Sequence, residues 1–165
     1  MRRNCNLLLV LAVLIGAACA GQPPGRFATT QDVMGFWEML PLNNAEHVNK
    51  VNPWPLPYQW FGFYEDGTLA SMARTERASY SRDQLAAILD VVKASAPKFS
   101  WSKGLMVVRY PSLPWATEYW VVHLNTAGLE LQIGKLRPGD LVMTLVDREG
   151  KPVYYRVLRR LSESR

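Results

Sequence analysis

The sequence predicts a mainly β protein: an antiparallel up-and-down barrel of about eight strands, with one α-helix packed outside it. Three observations carry that expectation. Residues 58–72 hold an aromatic run, a break at Asp66-Gly67 and a second run of small and apolar residues, the pattern of a hairpin around a tight two-residue turn. From residue 99 onward, short apolar runs alternate with breaks at Gly104, Pro111, Gly128, Pro138-Gly139 and Gly150, the short regular spacing of antiparallel sheets. Between these regions, residues 81–94 place apolar side chains at helical rather than strand spacing.

Residues 1–20 read as a signal peptide. Arg2 and Arg3 are followed by an apolar run over 7–15 and by Gly16-Ala17-Ala18-Cys19-Ala20, a basic, apolar and small-residue succession typical of export. The apolar run is shorter than the ~20 residues that span a bilayer. Two processing routes remain open. Ala18-Cys19-Ala20 suits ordinary cleavage before Gly21. Residues 15–19 resemble a bacterial lipoprotein box, which implies acylation of Cys19 as a membrane tether, and Ala20 in place of an aspartate resembles the outer-membrane sorting pattern. Either route predicts an exported protein, periplasmic or anchored to the outer membrane. Cys5 and Cys19 are the two cysteines, so the processed domain has no disulfide despite an oxidising destination. Residues 21–32, with Pro23 and Pro24, read as a polar tether.

The expected domain is single and spans 33–161. Without Arg2 and Arg3, seventeen Lys+Arg face fourteen Asp+Glu, spread along the chain with no long basic run. That balance describes a soluble surface and argues against a nucleic-acid footprint.

Taken in order, Thr29 to Asp32 can cap a short turn before a first strand within 33–40. Residues 42–57 form a loop, because Asn43, Asn44, Asn49 and Asn52 with Pro53, Pro55 and Pro57 leave no room for a ladder. In the next strand Tyr58, Trp60, Gly62 and Tyr64 share one face; Gln59, Phe61, Phe63 and Glu65 share the other. Gly62 in mid-strand suggests a bend. Ser81 and Gln84 form a capping box, with Tyr80 and Leu85 as its hydrophobic staple. Leu85, Ile88, Leu89 and Val92 make the apolar stripe. Further strands are expected at 99–102, 105–110, 118–125, 129–133, 141–147 and 153–161, with a break at 111–114.

No residue set carries an enzymatic reading, and neither a cofactor nor a metal site is expected. His47 and His123 are the two histidines; His47 stands beside Glu46 without a second imidazole at ligand spacing. His123, on the strand face of Tyr119 and Val121, serves as a hydrogen-bonded sheet histidine or as a pH-sensitive ligand contact. Glu118 begins that strand, but on the alternate face. Phosphate-binding glycine loops and nucleophile elbows are absent. The excess lies in aromatics, with six Trp and seven Tyr. These fill the core and rim, or they wall a cavity for a small molecule. The cavity candidates are Trp60, Tyr64, Met72, Trp101, Trp115, Tyr119, Trp120 and His123.

Gly35-Phe36-Trp37 resembles the Gly-x-Trp signature that opens the first strand of lipocalins. In that family an arginine after the last strand packs across the tryptophan at the closed end of the barrel, and Arg159 or Arg160 is placed for that part. The resemblance implies a lipocalin-like barrel over residues 33–161 that binds a small apolar or amphipathic molecule in the cell envelope, as a non-covalent carrier or chaperone. An envelope interaction or assembly module with a filled barrel, gripping a protein partner through aromatic loops, is the alternative. A small hydrolase or isomerase comes third.

Overall fold

The computed structural model describes residues 25–40, 56–102, 104–131 and 134–162. The expected signal peptide, Cys19, His47 and nearly all of the 42–57 loop lie outside them. The described elements are β1 (Gly25–Phe27), α1 (Thr30–Val33), β2 (Gly35–Met39), β3 (Tyr58–Phe63), β4 (Leu69–Arg74), α2 (Arg82–Val92), β5 (Lys98–Ser102), β6 (Leu105–Tyr110), β7 (Leu113–Asn125), β8 (Leu129–Leu131), β9 (Gly134–Leu136), β10 (Leu141–Val146) and β11 (Pro152–Arg160).

Eight antiparallel strands run in the order β4-β3-β2-β11-β10-β7-β6-β5 and curl into a half-barrel. The last strand returns to pair with β2, Arg160 opposite Trp37 and Leu158 opposite Met39. The two edge strands meet at one point, an antiparallel bridge between Thr68 and Lys98. There Leu69 N–H donates to the Pro97 carbonyl (2.9 Å) and Phe99 N–H to that of Gly67 (2.7 Å). Beyond this bridge the edges of β4 and β5 share no described ladder, so the curl stays unsealed along β4.

Several local expectations change. The Asp66-Gly67 turn is a three-residue loop rather than a two-residue one. Tyr64 N–H donates to the Thr68 carbonyl and Gly67 N–H to that of Tyr64, and Gly67 takes φ +74°. That is a type I turn closed by a left-handed glycine. The β10–β11 connection repeats it, with Asp147 N–H to Lys151 C=O, Gly150 N–H to Asp147 C=O and Gly150 at φ +80°.

Residues 25–32 are not a tether. β1 pairs with the far end of β7, Phe27 opposite His123, on the side of β7 that β6 leaves vacant. The Asp32 carboxylate accepts the Thr29 N–H and hydroxyl (2.7 Å each) and a paired fork from Arg26. These charge-assisted donors hold Asp32 well below the usual carboxylate range.

The break at 111–114 is shorter than expected, since β7 already begins at Leu113. Pro114 fits because β10 joins β7 only from Tyr119 onward; before that point one edge of β7 is open, and a missing N–H costs no ladder bond. Residues 129–133 do not add a strand to the barrel. β8 and β9 form a separate small hairpin.

The core has two layers. Inside the curl are Trp37, Phe61, Phe63, Val108, Trp120, Val122, Leu141 and Leu158, all buried. Outside it, Leu85 and Leu89 of α2, both fully buried, pack on Trp60 and Ala70 with Phe36, Tyr64 and Tyr80 around them. Burying each leucine contributes about 1.5–3 kcal/mol. Ile88 and Val92 of the expected stripe lie at its partly exposed border. The helix begins as the sequence indicates: Ser81 Oγ accepts Gln84 N–H (3.2 Å) and Gln84 Oε1 accepts Ser81 N–H (2.9 Å).

Gly62 has a packing reason rather than a bending one. A Cβ there would lie 3.0 Å from Leu89 Cδ1 and 3.1 Å from the rings of Phe36 and Tyr64. Its missing side chain lets α2 approach the sheet.

Candidate functional site

The pleat of β11 sends Tyr154, Arg156, Leu158 and Arg160 to one side, into the curl, and two of these define its two ends. At the closed end Trp37 is fully buried, and its indole N–H donates to the Val33 carbonyl at 2.8 Å. The Arg160 guanidinium lies 4.4 Å from the Trp37 ring centroid. It donates to the carbonyls of Met34 (2.7 Å) and Asp32 (2.6 Å). Gly35 makes this approach feasible: it adopts φ +111°, and a Cβ there would stand 3.1 Å from Arg160 Nη1. Arg159 points the other way and grips Asp140, Nε to Oδ1 at 3.0 Å and Nη2 to Oδ2 at 2.7 Å. The two adjacent arginines thus divide between two tasks, and Arg160 is the one over the tryptophan.

Toward the other end the described residues leave space inside the curl. A cavity of about 340 Å³ is lined by Leu56, Gln59, Phe61 and Phe63 from the β3 side, Leu69, Ser71, Met72 and Ala73 from β4, and Pro97, Tyr110, Glu118, Trp120, Met143 and Arg156. Ser71 and Ala73 are exposed although their β3 partners Phe61 and Gln59 are buried. The cavity therefore opens along the unsealed β4 edge. On the side facing Trp37, Leu158 and Leu141, the packed half of the core closes it.

Arg156 sits where the packed half meets the void. It is 8% exposed, and its guanidinium carbon lies 4.9 Å from the Trp120 ring, 5.1 Å from Phe61 and 5.4 Å from Tyr154. Taking a cation out of water is costly, and ring faces offset part of that cost. Glu118 shares the cavity wall; its Oε1 accepts Tyr110 Oη (2.8 Å) and its Oε2 accepts Trp120 Nε1 (2.9 Å). Burial first, and the Glu118 charge second, push the Tyr110 phenol well above its usual range. Gln59 is tied by its side-chain amide to the Leu56 carbonyl at 3.1 Å.

Compared with known proteins, the chain matches no family model, no curated protein and no solved structure.

The eight expected cavity residues do not gather in one place. Met72 and Trp120 line the void. Trp60 and Tyr64 lie on the opposite face of β3, under α2, with Lys93 Nζ 4.2 Å from the Tyr64 ring centroid. Trp101 packs half-buried against the interior cluster without lining the void. Tyr119 and His123 are on the outer face of β7; the His123 ring rests on Phe27 with centroids 4.6 Å apart, and burial lowers its pKa. Trp115 is 78% exposed at the start of β7.

The lining that the aromatic count passed over is Phe61, Phe63, Gln59, Tyr110, Glu118 and Arg156. A signal for it existed: Gly62 shares a face with Trp60 and Tyr64, and a glycine face under a leucine stripe is the one that receives a helix. Chemically, the lining is mostly apolar, with one guanidinium, one carboxylate and one phenol in its wall. No serine or histidine of the described residues forms a nucleophile–base pair in it, and no group of three or more metal-ligating side chains occurs among them.

Proposed function

We propose that this protein is an exported, lipocalin-like binding protein that carries a small apolar or amphipathic molecule in the cell envelope without a covalent step. The observation that carries this reading is the cavity of about 340 Å³ between Phe61, Leu69 and Trp120, within the roughly 300–1,000 Å³ of small-molecule sites. The lipocalin likeness draws support from the Gly35–Trp37–Arg160 closure, in which a Gly-x-Trp strand, a short preceding helix and an arginine of the last strand lock one end. Export, and Cys19 as cleaved residue or acyl anchor, rest on the pattern of residues 1–20 alone. Palmitate labelling against a Cys19→Ala control separates those two fates.

Native mass spectrometry of the purified protein, before and after organic extraction, tests the carrier reading together with tryptophan quenching by a hydrophobic dye. A co-purifying small molecule, or saturable quenching at Trp120, is the expected result. Absence of both sinks the carrier reading. It would then favour the interaction-module reading, which the exposed Trp115 and the 42%-exposed Leu113 support.

A further inference from the structure

Resting on the binding-protein reading, we propose that the ligand is uncharged, a hydrocarbon chain or ring carrying at most a neutral polar group such as a hydroxyl. Its apolar body lies against Phe61, Phe63, Leu69, Trp120 and Met143, beside the opening at Ser71 and Ala73. What leads there is how the wall disposes of its own polar groups.

Among the described residues that line the void, the charged side chains are Glu118 and Arg156, one of each sign. Both carboxylate oxygens of Glu118 accept hydrogen bonds from the wall itself, from Tyr110 Oη at 2.8 Å and from Trp120 Nε1 at 2.9 Å. Arg156 is engaged as well. Its guanidinium packs on the rings of Phe61, Trp120 and Tyr154 and shares a hydrogen bond with the Tyr154 hydroxyl. The two charges act on one place: burial and then Glu118 raise the Tyr110 phenol above its usual range, and Arg156 draws it back. The Gln59 amide is turned to the Leu56 carbonyl.

A ligand therefore meets a wall whose polar groups already hold one another. An ion entering this void leaves water without gaining a counter-charge of its own, and the desolvation cost of an ion is large. A cationic head would have to displace Tyr110 and Trp120 from Glu118; an anionic head would enter beside that carboxylate. A neutral chain gives up only apolar hydration, which favours entry. A hydroxyl is tolerated, because each Glu118 oxygen keeps a second lone pair to accept from it.

The test titrates decanol, decanoate and decylamine by tryptophan fluorescence at mildly alkaline pH, where the acid and the amine are both ions. Decanoate and decylamine are each expected to bind roughly tenfold or more weakly than decanol, the effect of a charge desolvated without a partner. A smaller gap for either ion overturns the neutral-ligand assignment and leaves the carrier reading intact. Failure of all three to bind also overturns the assignment. The carrier reading falls with it only if the dye does not quench and no small molecule co-purifies. Glu118→Gln removes the wall's carboxylate and is expected to shift the decanoate-to-decanol affinity ratio roughly tenfold toward the acid. An unchanged ratio would show that the acid is refused for a reason other than the wall's charges, and overturns that account. The ratios of the unmodified protein decide the assignment even if the variant does not fold.

Discussion

At the closed end of the curl, Arg160 lies 4.4 Å from the ring of Trp37, with two donors on main-chain carbonyls at 2.6 and 2.7 Å. Four residues earlier on the same face of β11, Arg156 lies 4.9 Å from the ring of Trp120, beside a cavity instead of a chain end. The residue pair is the same and the surroundings differ. Arg160 finds backbone acceptors because α1 stops at Val33 and leaves its last carbonyls unpaired inside the helix. The arginine thus satisfies α1 and fastens β11 to the segment that enters β2. Arg156 packs among rings, shares a hydrogen bond with Tyr154 and borders the space that the described residues leave. Cation–aromatic contact alone therefore does not reveal a role; what occupies the remaining donors and the space beside them does.

Substitutions at both ends test that contrast. Trp37→Ala has the largest expected effect, a loss of about 3–5 kcal/mol in urea unfolding, because it leaves a cavity in the fully packed half. A loss below about 1 kcal/mol would show that the closed end is not the packed one. Gly62→Ala should cost about 1–3 kcal/mol by forcing Leu89 and two rings apart. Shortening the opposing side chain in the double variant with Leu89→Ala should make the two effects less than additive. Additivity would mean that α2 does not press on that glycine.

Arg160→Ala should cost about 1–2 kcal/mol through the stacked ring and two carbonyl bonds. The smallest effect concerns pH. Burial holds His123 below its ordinary value of 6.5, so the unfolded chain binds a proton there that the folded chain resists. Its contribution is complete above pH 6.5 and is lost as pH falls from there toward the lowered folded value. His123→Phe should flatten the unfolding midpoint across that window, and an unchanged slope would show that His123 does not titrate differently on folding.

Much of the barrel was legible because local chemistry specifies it. Ser81 and Gln84 cap α2 at the expected residue, Gly67 and Gly150 mark turns that need a left-handed residue, and the alternation in 58–65 separates Trp60 and Tyr64 from Phe61 and Phe63. Among the local readings that failed, two show the physical reason clearly. Residues 25–32 look like a tether because three-residue β1 carries no alternation of its own; its place comes from the vacant side of β7. Pro114 looks like a break because a proline excludes a ladder bond, yet the bond it excludes is on an open edge.

The sequence by itself determined most of the barrel strands, the start of α2, the places of the turns and the two sides of β3, since these follow from backbone geometry and spacing within a few residues. The resemblance of Gly35-Phe36-Trp37 to the lipocalin signature also implied an arginine over Trp37, although two adjacent candidates remained. Tertiary structure alone decided which side of β3 faces inward, because both sides are aromatic and only the docking of α2 over Gly62 distinguishes them. It alone decided that Arg160 rather than Arg159 crosses Trp37, through the register of β11 on β2. It alone brought Arg156, Glu118 and Tyr110 to one void, since strands β6, β7 and β11 meet there through sheet curvature that no local pattern encodes.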